Sequence, residues 1–233
     1  MFKFKQFTIN QDNTAMKVGT DGVLLGAWAD LQNAEKILDI GSGTGLLSLM
    51  AAQRSNANIT TIEIEKNAYR QTVENFKNSS WNDRLNAVNT SFQNFHTKTK
   101  NHFDYIICNP PFFENSQKNL DLNKTTARHN DTLPFDELLI GIKYLLTKNG
   151  KFSVILPYET GLNFIKKAEK LSLFCIRLTE IKPNFAKPPK RILLEFSKIK
   201  SQVQKNILTI EKEKRHDYTK EYTELTKDFY LKM

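Results

Sequence analysis

Several things are scarce in this chain of 233 residues. No apolar run approaches the roughly 18 residues that a membrane-spanning helix requires, so no membrane partner is expected. There are two cysteines, Cys108 and Cys175. Both lie in apolar stretches, where a free thiol packs as a small hydrophobe, and two thiols so placed make neither a disulfide framework nor a metal site. The four histidines are scattered without ligand spacing, and no metal is expected. The N-terminal "MFKFKQFTINQDN" alternates apolar and polar residues and lacks the apolar core of a secretory leader. It reads as a short strand or extended arm, and the expected location is a reducing cytoplasm. Acid is also in deficit, with 25 Asp and Glu against 34 Lys and Arg, a formal charge of +9 and a pI of about 9.4. Such a balance concerns partners rather than fold. It favours nucleic acid, although a lysine-rich, low-GC proteome would give the same balance.

What is present is a regular alternation of strand and helix patterns. "KILDI" (36–40), "NITTIEIE" (58–65), "LNAVNTSF" (85–92), "FDYIICN" (103–109), "KFSVILP" (151–157), "FCIRLTEIK" (174–182) and "RILLEFSK" (191–198) read as strands. "LLSLMAAQR" (46–54), "KNAYRQTVENFKN" (66–78), "FDELLIGIKYLLTKNG" (135–150, closed by Gly150) and "ETGLNFIKKAEKL" (159–171) read as helices. This order predicts an α/β fold with a mostly parallel seven-stranded sheet, helices on both faces and right-handed crossovers. The short loop between the last two strands predicts an antiparallel strand at one edge. The expected organisation is a single domain over 1–233, with an N-terminal arm and helix (1–30), a core (31–198) and a C-terminal extension (199–233) packed on it. In that extension Tyr222, Leu225, Phe229 and Tyr230 are spaced like one helix face.

The first strand runs into "LDIGSGTG" (38–45). Glycines at 41, 43 and 45 let a ligand approach the backbone at a helix N-terminus. The third glycine of a dinucleotide fingerprint would stand at 46, which is Leu46, and the Gly-Lys-Ser/Thr of a phosphate-binding loop is missing. Asp39 would repel phosphate and attract an ammonium or sulfonium. Glu63, at the tip of the second strand, is placed to accept both ribose hydroxyls of an adenosine-containing cofactor. Glu65 competes for that role.

These residues resemble the cofactor site of class I S-adenosylmethionine-dependent methyltransferases. "NPPF" (109–112) resembles the substrate motif of members that methylate exocyclic or amide nitrogens. "FKFKQF", "MKVGTDGVLLGAWA" (16–29), "TARHNDTLPFDELL" (126–139), "KPPKRILLEF" (187–196) and "DFYL" (228–231) resemble the bacterial tRNA1(Val) (adenine-37-N6)-methyltransferase family over nearly the whole chain. The resemblance implies S-adenosyl-L-methionine as cofactor and tRNA as substrate; the expected oligomeric state is a monomer. It adds Lys17, Thr20 and Asn109 to the cofactor-binding set of Asp39, Gly41, Gly43, Gly45 and Glu63.

"FDYIICNPPF" then makes chemical sense. The lone pair of an exocyclic purine amine is delocalised into the ring. Two acceptors aimed at its two N–H bonds favour the tetrahedral geometry needed for attack. The side-chain oxygen of Asn109 is one acceptor and the carbonyl of Pro110 the other. Pro111 restricts the backbone before it, and Phe112 offers a face for the base. Water suffices to take the proton, so catalysis is chiefly positioning and electrostatics. "IKPNFAKPPKRILL" (181–194) holds Lys182, Lys187, Lys190 and Arg191 without an acid, a basic hairpin suited to RNA phosphates. Arg128 and His129 are placed to close over the substrate.

Two positions depart from the pattern. Ser91 and Phe92 stand where many relatives carry an acid for the cofactor adenine, leaving a backbone group, Gln93 or ring stacking for that role. Phe112 stands where Tyr is common. The same motif also resembles that of ribosomal RNA guanine-N2 methyltransferases. Protein-glutamine methyltransferases usually carry an extra N-terminal helical domain, for which residues 1–30 leave little room. An inactive RNA-binding module conflicts with the intact Asp39, Glu63 and Asn109.

Overall fold

The structure is a computed structural model that describes residues 1–12, 14, 16–110 and 133–232. A small antiparallel hairpin, β1 (Phe2–Lys3) and β2 (Thr8–Ile9), leads to α1 (Thr20–Trp28). The alternating core follows: β3 (Lys36–Ile40), α2 (Leu46–Arg54), β4 (Asn58–Glu63), α3 (Lys66–Lys77), β5 (Leu85–Asn89), α4 (Phe92–Lys98) and β6 (Phe103–Cys108). After it come α5 (Phe135–Leu145), β7 (Leu146–Pro157), α6 (Tyr158–Lys170), β8 (Phe174–Lys182), β9 (Arg191–Ser197), β10 (Gln204–Thr209) and α7 (Lys220–Thr226).

The α/β class is as expected, with a larger sheet. Eight strands lie in the order β10-β8-β9-β7-β6-β3-β4-β5. Only β9 runs against its neighbours, pairing antiparallel with both β7 and β8. The antiparallel strand is therefore interior and not at the edge. Its sequence explains this, because Ile192 to Phe196 are all buried, and a strand apolar on both faces needs cover on both. The edge belongs to β10, which pairs parallel with β8. Polar along most of its length, β10 carries little apolar periodicity and is held by backbone pairing.

Two boundaries also differ from the sequence pattern. The helix expected to reach Gly150 stops at Leu145, and the chain continues directly into β7. A Cβ at Gly150 would stand 3.0 Å from the Phe103 carbonyl, so this glycine serves close approach to β6 rather than helix termination. The strand expected to reach Phe92 stops at Asn89. Ser91 then caps α4, its Oγ accepting from the Asn94 N–H at 3.2 Å.

The sheet buries both faces. Leu38, Ile40, Ile106, Phe152, Val154, Leu194 and Phe196 pack towards α4, α5 and α6. Ile37, Ile59, Ile107, Ile155 and Leu193 pack on the other side with α1, α2 and Tyr222 of α7. The chain ends meet there as well. Phe4, Phe7 and Ile9 join Phe229 in one buried cluster, and the Lys5 N–H donates to the Phe229 carbonyl at 2.8 Å.

On that second face a charged network runs from the buried Glu195 out to the surface. The Glu195 carboxylate accepts from Tyr105 Oη at 2.6 Å and from Arg177 Nη2 at 2.9 Å. The Arg177 guanidinium lies 3.7 Å from the Trp28 ring centroid, and Lys151 pairs with Asp30 at 2.8 Å. Removing one member of a buried pair strands the other. Arg177→Met should lower unfolding free energy by about 3–5 kcal/mol, read by denaturant titration. Tyr105→Phe, which leaves the ion pair in place, should cost about 1–2 kcal/mol.

Candidate active site

The strand register sets the site. Ile40 of β3 aligns with Ile62 of β4 and with Cys108 of β6. The next residues, Gly41, Glu63 and Asn109, therefore leave three adjacent strands at one level, the carboxyl edge where α/β proteins bind ligands.

The glycine turn occupies left-handed backbone at Gly41 (φ 77°), Gly43 (φ 56°) and Gly45 (φ 82°), a region that L-residues rarely enter. Among the described residues a Cβ at Gly41 or Gly43 would meet nothing within 4 Å, whereas one at Gly45 would stand 2.8 Å from the Phe76 ring. The first two glycines thus border open space, and the third serves packing. Helix α3 fixes the turn from outside. Thr72 Oγ1 donates to the Gly43 carbonyl at 3.1 Å, and Asn75 Nδ2 donates to the Thr44 carbonyl at 2.8 Å. Asn75 also holds the N-terminal arm, donating to the Asn10 carbonyl and accepting from its N–H. Sequence reasoning missed these clamps. Their signal was polar residues at 71, 72 and 75 on the helix face that carries Ala68 and Phe76, all of them buried.

Glu63 accepts from the Gly43 N–H at 2.8 Å and from the Glu65 N–H at 2.9 Å. One lone pair on each oxygen stays free for a ligand. Glu65 acts elsewhere, its carboxylate capping α3 through the Asn67 and Ala68 N–H groups. Asp39 is buried, and one oxygen accepts from Ser48 Oγ at 2.7 Å. Among the described residues its other oxygen has no partner, and neither does the buried Oδ1 of Asn109. Burial pushes the Asp39 carboxyl up to about 7, the Ser48 hydrogen bond opposing and the Glu63 charge reinforcing the rise.

The other expected residues are more dispersed. Thr20 opens α1, and Lys17 Nζ donates to the Gln11 carbonyl, beside the arm that Asn75 holds. Pro110 is buried next to Asn109. Pro111, Phe112, Arg128 and His129 lie outside the described residues. Gln93 donates to Glu137 at 2.9 Å. Lys182 donates to the Phe185 carbonyl at 3.2 Å, while Lys187 and Lys190 are exposed on the β8–β9 loop. Arg191 is engaged within the chain, its Nε donating to Asp21 of α1 at 2.8 Å.

Comparison with known proteins places this geometry. The family model described as methyltransferase small domain matches residues 17–132. A tRNA1(Val) (adenine(37)-N6)-methyltransferase of Trichodesmium erythraeum is 51% identical over 234 residues, covering 99% of this chain and 98% of the relative. The chain belongs to the tRNA1(Val) (adenine(37)-N6)-methyltransferase family. The relative so named from Flavobacterium psychrophilum is 47% identical over the full length of both chains. Among solved structures, a predicted O-methyltransferase from Agrobacterium tumefaciens shares the fold at TM-score 0.69 and 18% identity, covering 90% of this chain and 96% of its own. A TehB-like SAM-dependent methyltransferase from Corynebacterium glutamicum does so at 0.51 and 15%, covering 79% and 90%. Among the described residues no group of three or more His, Cys, Asp or Glu is placed to hold a metal, and no helix is long and apolar enough to cross a membrane.

Asp39 yields a prediction with a definite sign. Without ligand, the folded chain binds more protons than the unfolded one between the ordinary value of 3.8 and about 7. Stability should therefore fall as pH rises through that window. A cationic ligand on Asp39 needs the ionised form, so its affinity should rise with pH across the same window. In Asp39→Asn both dependences should flatten and the affinity should drop, as read by calorimetry and denaturant titration.

Proposed function

We propose that this protein methylates the N6 amine of adenosine 37 in the anticodon loop of tRNA1(Val), with S-adenosyl-L-methionine as methyl donor. The observation that carries the reading is the level of three strand ends, with Gly41, Glu63 and Asn109 side by side and unpartnered buried acceptors at Asp39 and Asn109. S-adenosylmethionine supplies an electrophilic methyl group on a cationic sulfur. The donor set fits it. Asp39 takes the amino-acid ammonium, Gly41 and Gly43 leave room for the ligand against the backbone, and Glu63 takes the ribose hydroxyls. Lys17 and Thr20 complete the wall from the α1 side. Ile64 directly follows Glu63 and is 61% exposed, and its apolar face suits an adenine ring.

Asn109 Oδ1 and the Pro110 carbonyl accept from the two N–H bonds of the target amine, drawing its lone pair out of the purine ring. The amine proton leaves to water. Phe112 stacks on the target base, and Pro111 stiffens the turn. An adenosine in a single-stranded loop rotates out of its stack at small cost. Lys182 at the end of β8 and Lys187 and Lys190 of the β8–β9 loop hold the phosphates, and Arg128 and Arg191 are assigned to RNA binding with them. The reaction belongs to the cytoplasm, and the protein acts as a monomer.

The reading is tested with labelled S-adenosylmethionine and RNA from a strain lacking the gene, followed by nucleoside mass spectrometry. N6-methyladenosine in the tRNA fraction is the expected product, and N2-methylguanosine in ribosomal RNA would overturn the substrate. Asn109→Ala should lower transfer on the order of 100-fold or more while cofactor affinity stays within a few-fold of wild type. Lys187→Ala with Lys190→Ala should weaken tRNA binding and flatten its dependence on salt by about one unit of log–log slope for each phosphate no longer neutralised.

A further inference from the structure

One large apolar side chain of the β8–β9 loop stands in water. Phe185 is 62% exposed. Its loop is not slack. The base is closed by the Lys190 N–H donating to the Ile181 carbonyl at 2.9 Å. It is braced on one side by the segment that follows β10, through the Glu211 N–H to the Pro183 carbonyl at 2.9 Å, and on the other by the start of α6, through the Tyr158 N–H to the Lys190 carbonyl at 3.2 Å. Within the loop the Lys187 N–H donates to Asn184 Oδ1 at 3.1 Å, and Lys182 Nζ donates to the carbonyl of Phe185 itself. Pro183, Pro188 and Pro189 remove further freedom. The chain thus holds an exposed aromatic ring on a stiffened support.

The support faces the right way. Cys108 of β6 pairs with Val154 of β7, and Pro157, three residues further on, pairs with Arg191 at the start of β9. The loop therefore leaves the sheet at the same end as Asn109. It stands two to three strands to the side, roughly 10–15 Å at ordinary strand spacing. Lys182, Lys187 and Lys190 flank Phe185 along the chain, and no acid occurs from 181 to 194. Lysines interleaved with an exposed ring are the chemistry by which single-stranded nucleic acid is held, the cations on phosphates and the ring on a base.

We propose that Phe185 is a stacking platform for an unpaired base flanking the target adenosine. The proposal rests on the tRNA-methylating reading above. A base rotated into a pocket leaves its neighbour without a stacking partner on one side. The Phe185 ring replaces that partner and lowers the cost of rotation. Phe185 touches the RNA away from the reacting atoms and acts as a positioning residue.

The test uses the full chain and a synthetic anticodon stem-loop carrying 2-aminopurine at either position flanking the target. With wild type, fluorescence at one flanking position should be quenched on binding. Phe185→Ala should lose that quenching and raise the RNA Kd on the order of tenfold, with cofactor affinity and the salt slope unchanged. Phe185→Trp should restore both, which a merely structural role would not require. If Phe185→Ala binds and quenches like wild type while the Lys187 and Lys190 double variant binds weakly, stacking is refuted and the phosphate-contacting loop stands. If neither variant changes binding, the loop is not the RNA contact and both readings fall.

Discussion

The structure depends on one alignment. Because β3, β4 and β6 pair in parallel with Ile40, Ile62 and Cys108 at one level, the turn, the acid and the amide that follow them emerge together. None of the three could be moved by one residue without losing the arrangement, since a one-residue slip in a strand reverses which face every side chain occupies. The hydrophobic residues on both faces hold that register: Ile37 packs to one side, and Leu38 and Ile40 to the other. The chemistry of the site is in this sense a consequence of core packing.

Around this alignment the chain places polar groups in environments they would not choose alone. The turn spends three residues in left-handed backbone, and α3 holds it there through Thr72 and Asn75. Asp39 sits buried with one oxygen bonded and one bare. A buried acceptor without a partner destabilises the ligand-free chain, and a cation or donor arriving there relieves that cost. Such tension is the usual mark of a binding site. The Glu195 network within the same sheet is the contrast. Its acid is bonded to tyrosine and arginine within the chain and has no need of a ligand.

Most of the fold and the centre of the site were legible in the sequence, and the reasons differ by residue. β3, β6 and β9 are apolar runs, and buried strands advertise themselves in that way. Glycines at 41, 43 and 45 are visible because so few backbones need three of them so close. Glu63 and Glu65 were ambiguous on spacing; what separates them is that Glu65 caps a helix, a role that depends on where α3 begins. β10 was illegible because an edge strand that draws its stability from backbone pairing leaves no mark in side-chain hydropathy. Gly150 misled because glycine ends helices and also permits close strand contact, and only the neighbouring Phe103 carbonyl distinguishes the two. Arg191 read as one more cation in a basic run, whereas Asp21, its partner, is 170 residues away in sequence.

That last pair adds a link between the start of α1 and the start of β9. Asp21 lies in the first turn of α1, next to Thr20 and one residue before Gly22, where a Cβ would approach Asn109 Nδ2 to 3.9 Å. Arg191 is the first residue of β9 after the basic loop. This ion pair thus ties the start of α1 to the base of the β8–β9 loop. Any ligand whose binding shifts one of these two elements is coupled, reciprocally, to a ligand that binds the other. Two side chains 170 residues apart in sequence thus act as a strut between the first helix and the loop that carries the lysines.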